Sequence, residues 1–295
     1  ISEWLELILV LGAAAVGLVL SGPIGELVDR NAINIVLFVL VLAAAMTLPL
    51  SAITSLRARA ARLAVVEVAT LVALPFIAWT AAQLVPDGPV RLGIICIGVA
   101  PAEIATVALA TVARGRTAVA ALLLVLSTGA TALLAAPLLG LLAGGGLGRP
   151  RELLTTLGLV VILPFVIGVV VRTRLSDRVE DPAGKVATGA VTVLGALGAS
   201  QVVLDSDLAR AGLAIVVIVG VSAALGIGLG RLLPREDRSA VLLSTSMRDF
   251  AVAAGIGAAA FGPAAAAPLG LYGIFVMVWG SLVATRARQR ATPSP

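Results

Sequence analysis

The sequence predicts an all-α polytopic membrane protein of ten transmembrane helices, arranged as a five-plus-five inverted repeat. Three observations carry that expectation. The 295 residues are 60% hydrophobic and only 13% charged, with a mean hydropathy of +1.11, values far from those of a soluble domain. Apolar runs of roughly 18–25 residues recur along the chain, each long enough to cross about 30 Å of hydrocarbon as a helix. Basic residues segregate by side: fifteen fall on one face of the deduced topology and five on the other, with Arg248 alone inside an apolar run.

In chain order the spans are about 4–21, 33–51, 62–84, 91–113, 117–143, 152–172, 184–204, 208–232, 239–261 and 266–286. The first has acidic flanks, Glu3 and Glu6, and no basic n-region, so it reads as a spanning helix and not as a cleaved signal. Connections are short and marked by Gly and Pro, as at Ser21-Gly22-Pro23, Pro86-Asp87-Gly88-Pro89, 144–150 and Gly262-Pro263. No soluble domain is inserted, so 1–295 is one transmembrane domain, with a polar tail after Arg290. Arg57, Arg59 and Arg62 share a side with Arg114, Arg116, the run from Arg172 to Lys185, Arg231, Arg235, Arg238 and the arginines at 286–290. The positive-inside bias puts that side, and both termini, in the cytoplasm. A single Lys among many Ala, Val, Leu and Arg residues points to a GC-rich bacterial genome, hence to a plasma (inner) membrane.

An odd repeat unit inserts its second copy upside down, which gives repeat one as 1–148 and repeat two as 149–290. Helices four and nine are then equivalent, and both combine mid-span irregularity with charge. Helix four has Pro101 and then Glu103; helix nine has STSMRDF at 244–250, with Arg248 and Asp249 side by side. Broken helices at matching places point to a binding site at mid-membrane.

A charge inside the bilayer costs several kcal/mol unless it is partnered or wetted, so Glu67, Glu103, Arg248 and Asp249 are candidate functional residues. On a regular helix Arg248 and Asp249 point about 100° apart, so each needs another partner, and Glu103 and Glu67 are available. The four form either a closed structural network or a site for solute and protons. Three acids against one Arg leave excess negative charge, and a desolvated carboxyl tends to hold a proton. Glu67, Glu103 and Asp249 are therefore candidate proton-coupling groups, although Glu67, a turn and a half from Arg62, equally suits a plain position near cytoplasmic water. Glu103, Thr106, Ser244, Ser246, Arg248 and Asp249 make up the candidate solute site.

Thr70 and Thr106 offer hydroxyls to a cavity, or simply bond back to the i−4 carbonyl. Ser200, Gln201 and Asp205 read as interfacial, and Gly226-Ile227-Gly228-Leu229-Gly230 as a small-residue helix-packing face. The lone Cys96 and the lack of histidine exclude an internal disulfide, imidazole relays and multi-cysteine metal sites. No nucleophile–base pair or phosphate-cradling loop is present, so an enzyme is not expected. The net charge of +5 and pI near 10.8 come from arginines at span ends and not from a basic stripe. Membrane lipids and a small-molecule solute are thus the expected partners, and nucleic acid is not.

Several stretches together resemble the bile acid:sodium symporter family. LFVLVLAAAMTLPLSAI is similar to its second helix, and VATLVALPFIAW to its third. GVAPAEIATVALATVARG resembles the pattern G-x-x-P-G-G-x-x-S-N-V-x-x-x-L-A-R-G at Pro101, Thr106, Arg114 and Gly115. SMRDFAVAAGIGAAAFGPAAAAP follows E-x-G-M-Q-N-x-x-L-A with Met247 in register, and Gly280-Ser281 matches a closing G-S-x-L-A.

The resemblance implies a panel (4–51 and 152–204) facing a core (62–143 and 208–286), in which helices four and nine break and cross. It also implies secondary transport by alternating access, often of organic anions driven by sodium. The residues depart at the implied sodium ligands. The Glu of E-x-G-M-Q-N falls on Ser244, its Gln on Arg248 and its Asn on Asp249. The Asn of S-N-V falls on Val107, the third-helix Gln on Thr70, the second Gly of P-G-G on Glu103, and the helix-five hydroxyl positions near Ala120 and Leu124.

Sodium needs several hard oxygen ligands, and a permanent guanidinium stands in their place. The expectation is a carrier without cofactor for a small organic solute, sodium-independent or proton-coupled. An anion is favoured and a cation or zwitterion left open. A monovalent cation/proton antiporter and a non-transporting receptor on the same scaffold are the alternatives.

Overall fold

The computed structural model describes residues 32–48, 59–143, 157–175, 179–200 and 206–291, together with positions 12, 13, 16, 17, 19 and 155. The described residues are helical without a strand. Eleven α-helices follow one another: α1 Ala32–Thr47, α2 Ala60–Ala82, α3 Pro89–Val99, α4 Ala105–Val112, α5 Thr117–Leu142, α6 Leu163–Leu175, α7 Glu180–Ala199, α8 Ser206–Gly230, α9 Arg238–Ser246, α10 Phe250–Phe261 and α11 Ala267–Ala291. Nine of the ten expected spans coincide with helical segments among the described residues; of the expected first span (4–21) only positions 12, 13, 16, 17 and 19 are described, all helical, and Gln201 and Asp205 lie outside the described residues. Five helical stretches are long and apolar enough to cross a membrane: Ala61–Ala82, Thr117–Leu142, Gly158–Leu175, Asp207–Gly230 and Pro263–Gln289.

Local chemistry accounts for where these helices start and stop. Pro89 opens α3 from Gly88, where its missing N–H costs nothing. Pro101 cannot supply the next backbone donor, so α3 ends at Val99 and the chain turns extended at Ala100. In helix nine the chain leaves α9 through an extended Met247 and restarts at Asp249, whose carboxylate accepts from Ala251 N (3.0 Å) and Val252 N (2.9 Å) as an N-cap for α10. Helix six opens with a π turn, Gly158–Ile162, just ahead of Pro164; without an N–H, Pro164 cannot serve the Val160 carbonyl, and the turn widens there.

Helix α1 packs on α6 and α7, whereas α2, α5 and α8 pack on the two broken helices; α10 and α11 make the principal contacts between the two groups. Glycines permit the closest approaches. At Gly98 of α3 a Cβ would meet Leu74 O of α2 at 2.6 Å, and at Gly168 of α6 it would meet Leu42 O of α1 at 2.6 Å. The glycine-rich face of α8 packs at two of its three positions: Gly226 lies against Leu242 and Gly230 against Arg238, while Gly228 faces open space. Large exposed apolar side chains such as Val68, Val72, Phe76, Leu133 and Leu141 cover the outside, as a lipid-facing surface requires.

Asp237 is fully buried against Arg59, whose guanidinium donates to both its oxygens at 2.8 and 3.0 Å. Glu236 accepts from Arg116 at 2.8 Å, and its carbonyl accepts from Arg116 N at 2.9 Å. This network ties the start of α2, the turn after α4 and the turn before α9 into one unit.

Candidate functional site

Both interrupted helices break where sequence irregularity and charge coincide, and the two breaks meet. Glu103 N donates to Met247 O (3.0 Å) and Asp249 N donates to Pro101 O (2.9 Å), an antiparallel pairing of two short extended segments. Each stretch thereby satisfies backbone groups that its own helix has released, a condition for irregular backbone away from water. Around the junction α3 packs on α10 and α4 on α9. Helix α5 supplies two hydroxyls: Ser127 Oγ accepts from Ala102 N (3.0 Å), and Thr131 Oγ1 donates to Val99 O (3.0 Å). The helix-five hydroxyls that meet the break are thus Ser127 and Thr131, beyond the expected neighbourhood of Ala120 and Leu124.

Arg248 is 3% exposed, and its side chain reaches across to helix four. Its Nε donates to Ala100 O at 2.8 Å, and its terminal guanidinium nitrogen donates to the same oxygen. Its backbone N–H donates to the hydroxyl of the fully buried Tyr272 at 2.9 Å. Here the structure corrects the expected pairing with Glu103 or Glu67: among the described residues no acid lies within 4.0 Å of the guanidinium. The reason is the end of α3. Ala100 O is the orphan carbonyl at the negative pole of a half-helix, and a planar guanidinium satisfies it at once.

The acids sit at the opposite poles. Asp249 caps the positive end of α10, and the Glu103 carboxyl faces the amides of Ile104, Ala105 and Phe250 at the starts of α4 and α10. Fixed protein charges therefore complement the poles of the half-helices.

The other expected residues separate. Glu67 is buried rather than facing water, and its Oε1, like Glu103 Oε2, has no hydrogen-bond partner. Ser244 Oγ and Thr245 Oγ1, in the last turn of α9, are equally unpartnered. Thr70 donates to Val66 O (2.7 Å), Thr106 to Glu103 O (2.7 Å) and Ser246 to Leu242 O (2.7 Å), so all three hydroxyl protons stay on local backbone. Ser246 also accepts from Trp279 Nε1 at 2.9 Å. Ser200 donates to Leu197 O at the end of α7. Tyr272, Ser127, Thr131 and Trp279 carry no charge signal in the sequence; only the folded backbone shows that they hold the breaks.

A narrow cleft, with room of about 20 Å³, separates the break from α1 and helix six. That is space for one water. Val41, Ala44 and Leu48 of α1, with Val161 and Phe165 of helix six, form one wall; Pro101, Ala102, Ile104, Asp249, Val252 and the α5 residues Leu124, Thr128, Thr131 and Ala132 form the other. Of the expected site residues, Asp249 alone lines it; Glu67, Glu103, Thr106, Ser244, Ser246 and Arg248 lie behind the wall. Among the described residues no three His, Cys, Asp or Glu side chains are grouped to hold a metal ion.

A family model described as Sodium Bile acid symporter family matches residues 34–208, more than half of the chain. No curated protein matches it.

Proposed function

The chain belongs to the sodium bile acid symporter family, and from that premise we propose that this multi-pass membrane protein is a secondary carrier of a small organic solute that works without sodium. One observation carries the reading: the Arg248 guanidinium sits on Ala100 O, at the negative pole of a half-helix. Carbonyls released at such ends are the groups that coordinate sodium in carriers with broken helices. Here a cation fixed to the chain takes that carbonyl permanently.

The positions at which the resemblance implies sodium ligands are poor in free oxygens. Where the resemblance implies the Glu and Gln ligands the chain holds Ser244 and Arg248, and Ser127 Oγ is committed to both Ala102 N and Leu124 O. The buried, half-satisfied carboxyls of Glu67 and Glu103 support proton coupling in place of sodium coupling, since a proton satisfies such an oxygen without a coordination shell. The cleft between α1 and helix six on one side and the break on the other supports alternating access, the solute entering when the two sides part.

Sodium that binds the native state raises its melting temperature in a saturable way. Titrating purified protein with sodium chloride against potassium chloride at equal ionic strength is expected to give coincident melting curves; a saturable rise specific to sodium overturns the reading. Once a stabilising solute is identified, counterflow in potassium-only proteoliposomes is expected, and binding without counterflow would make the protein a receptor.

A further inference from the structure

The cleft wall shows which charge the solute carries, an inference that rests on the carrier reading above and names its substrate class. Every polar side chain on the wall is an acceptor. Thr128 has given its hydroxyl proton to Leu124 O (2.7 Å) and Thr131 has given its own to Val99 O (3.0 Å), so each presents lone pairs only. Asp249 presents a carboxylate; its Oδ1 is taken by Ala251 N and Val252 N.

The backbone donors along the break are equally committed. Ala102 N goes to Ser127 Oγ, Asp249 N to Pro101 O and Val252 N to Asp249 Oδ1, and Pro101 has none. Arg248, the one guanidinium at the break, lies behind the wall on Ala100 O.

An anionic group entering this cleft meets no side-chain donor among the described residues and faces the Asp249 carboxyl, so burying it there is costly. A cationic group meets a carboxylate, two hydroxyl oxygens and, across the cleft, the ring of Phe165, whose face attracts cations. The rest of the lining is aliphatic.

We propose that the solute is an amphipathic organic cation, an ammonium or guanidinium on a lipophilic body, with its charge on Asp249 and its body against α1 and helix six. The organic anion implied by the family resemblance is the opposite case, and the two are separable with an isosteric pair of probes.

Purified protein is titrated with benzyltrimethylammonium and with benzenesulfonate, following the melting temperature and intrinsic tryptophan fluorescence. The expected result is saturable stabilisation by the ammonium alone. Asp249→Asn keeps the N-cap while removing the charge, and is expected to weaken that binding by about tenfold or more; Phe165→Leu keeps the lining apolar and is expected to weaken it less. Stabilisation by benzenesulfonate, no response to the ammonium, or an ammonium affinity unchanged in Asp249→Asn each overturns the proposal. None of these outcomes touches the carrier reading, which fails instead on sodium-specific stabilisation or on the absence of counterflow.

Discussion

Arg248 ties the break of helix nine to the end of α3 through a single carbonyl oxygen. Removing it leaves Ala100 O unsatisfied at a dry helix end, and a buried acceptor without a partner typically costs about 1–3 kcal/mol. Arg248→Ala and Arg248→Gln are expected to insert in the membrane yet lose transport; turnover retained in either makes the arrangement purely structural. The double change Ser244→Glu with Arg248→Gln restores an oxygen-rich pattern at the break, and is expected to gain a sodium-dependent rise in melting temperature that neither single variant shows. The charge itself was legible in the sequence, because an Arg and an Asp inside an apolar run have few excuses. Its partner was not. A backbone carbonyl leaves no mark on the side-chain pattern, and Ala100 O becomes an acceptor only because α3 stops one residue earlier.

At the scale of helices, interruptions were more legible than contacts. Pro101 announces the end of α3 through a missing donor, and the hydroxyl-and-charge run at 244–249 announces the gap between α9 and α10. The π turn ahead of Pro164 was not foreseen, since a proline near a span's start also suits an ordinary first turn. The match between the two breaks depends on tertiary register and has no local signature. Close approach, by contrast, can be tested by single atoms. A Cβ on Gly98 would lie 2.6 Å from Leu74 O, 2.7 Å from Pro75 Cα and 2.8 Å from Ala78 Cβ, two of them backbone atoms that cannot swing aside. Gly98→Ala is expected to destabilise by about 1–3 kcal/mol, read as a lowered melting temperature. Gly140→Ala, on α5 with nothing within 4 Å, is expected to be neutral or stabilising by about 0.5–1 kcal/mol through helix propensity. Equal effects at the two sites would remove the close-packing account of α2 against α3.

Across the whole molecule, the same packing that closes the cleft sets what transport has to move. The Asp237 network and the paired breaks join α2, α4, α5 and α9 into a unit that resists internal distortion, because its charges are satisfied only in this arrangement. Where Leu37 of α1 meets α10 the contact is apolar: a Cβ on Gly255 would lie 2.7 Å from Leu37 Cγ. A cleft with room for about 20 Å³ admits no organic solute, so this is the contact that has to part. Leu37→Cys with Gly255→Cys, in a Cys96→Ser background, places two thiols close enough for a disulfide. Oxidation is expected to abolish counterflow and reduction to restore it, with the cross-link yield read by mass spectrometry. If the fully cross-linked protein carries solute at the unlinked rate, α1 and α10 move together and the entry path lies on another face of the break.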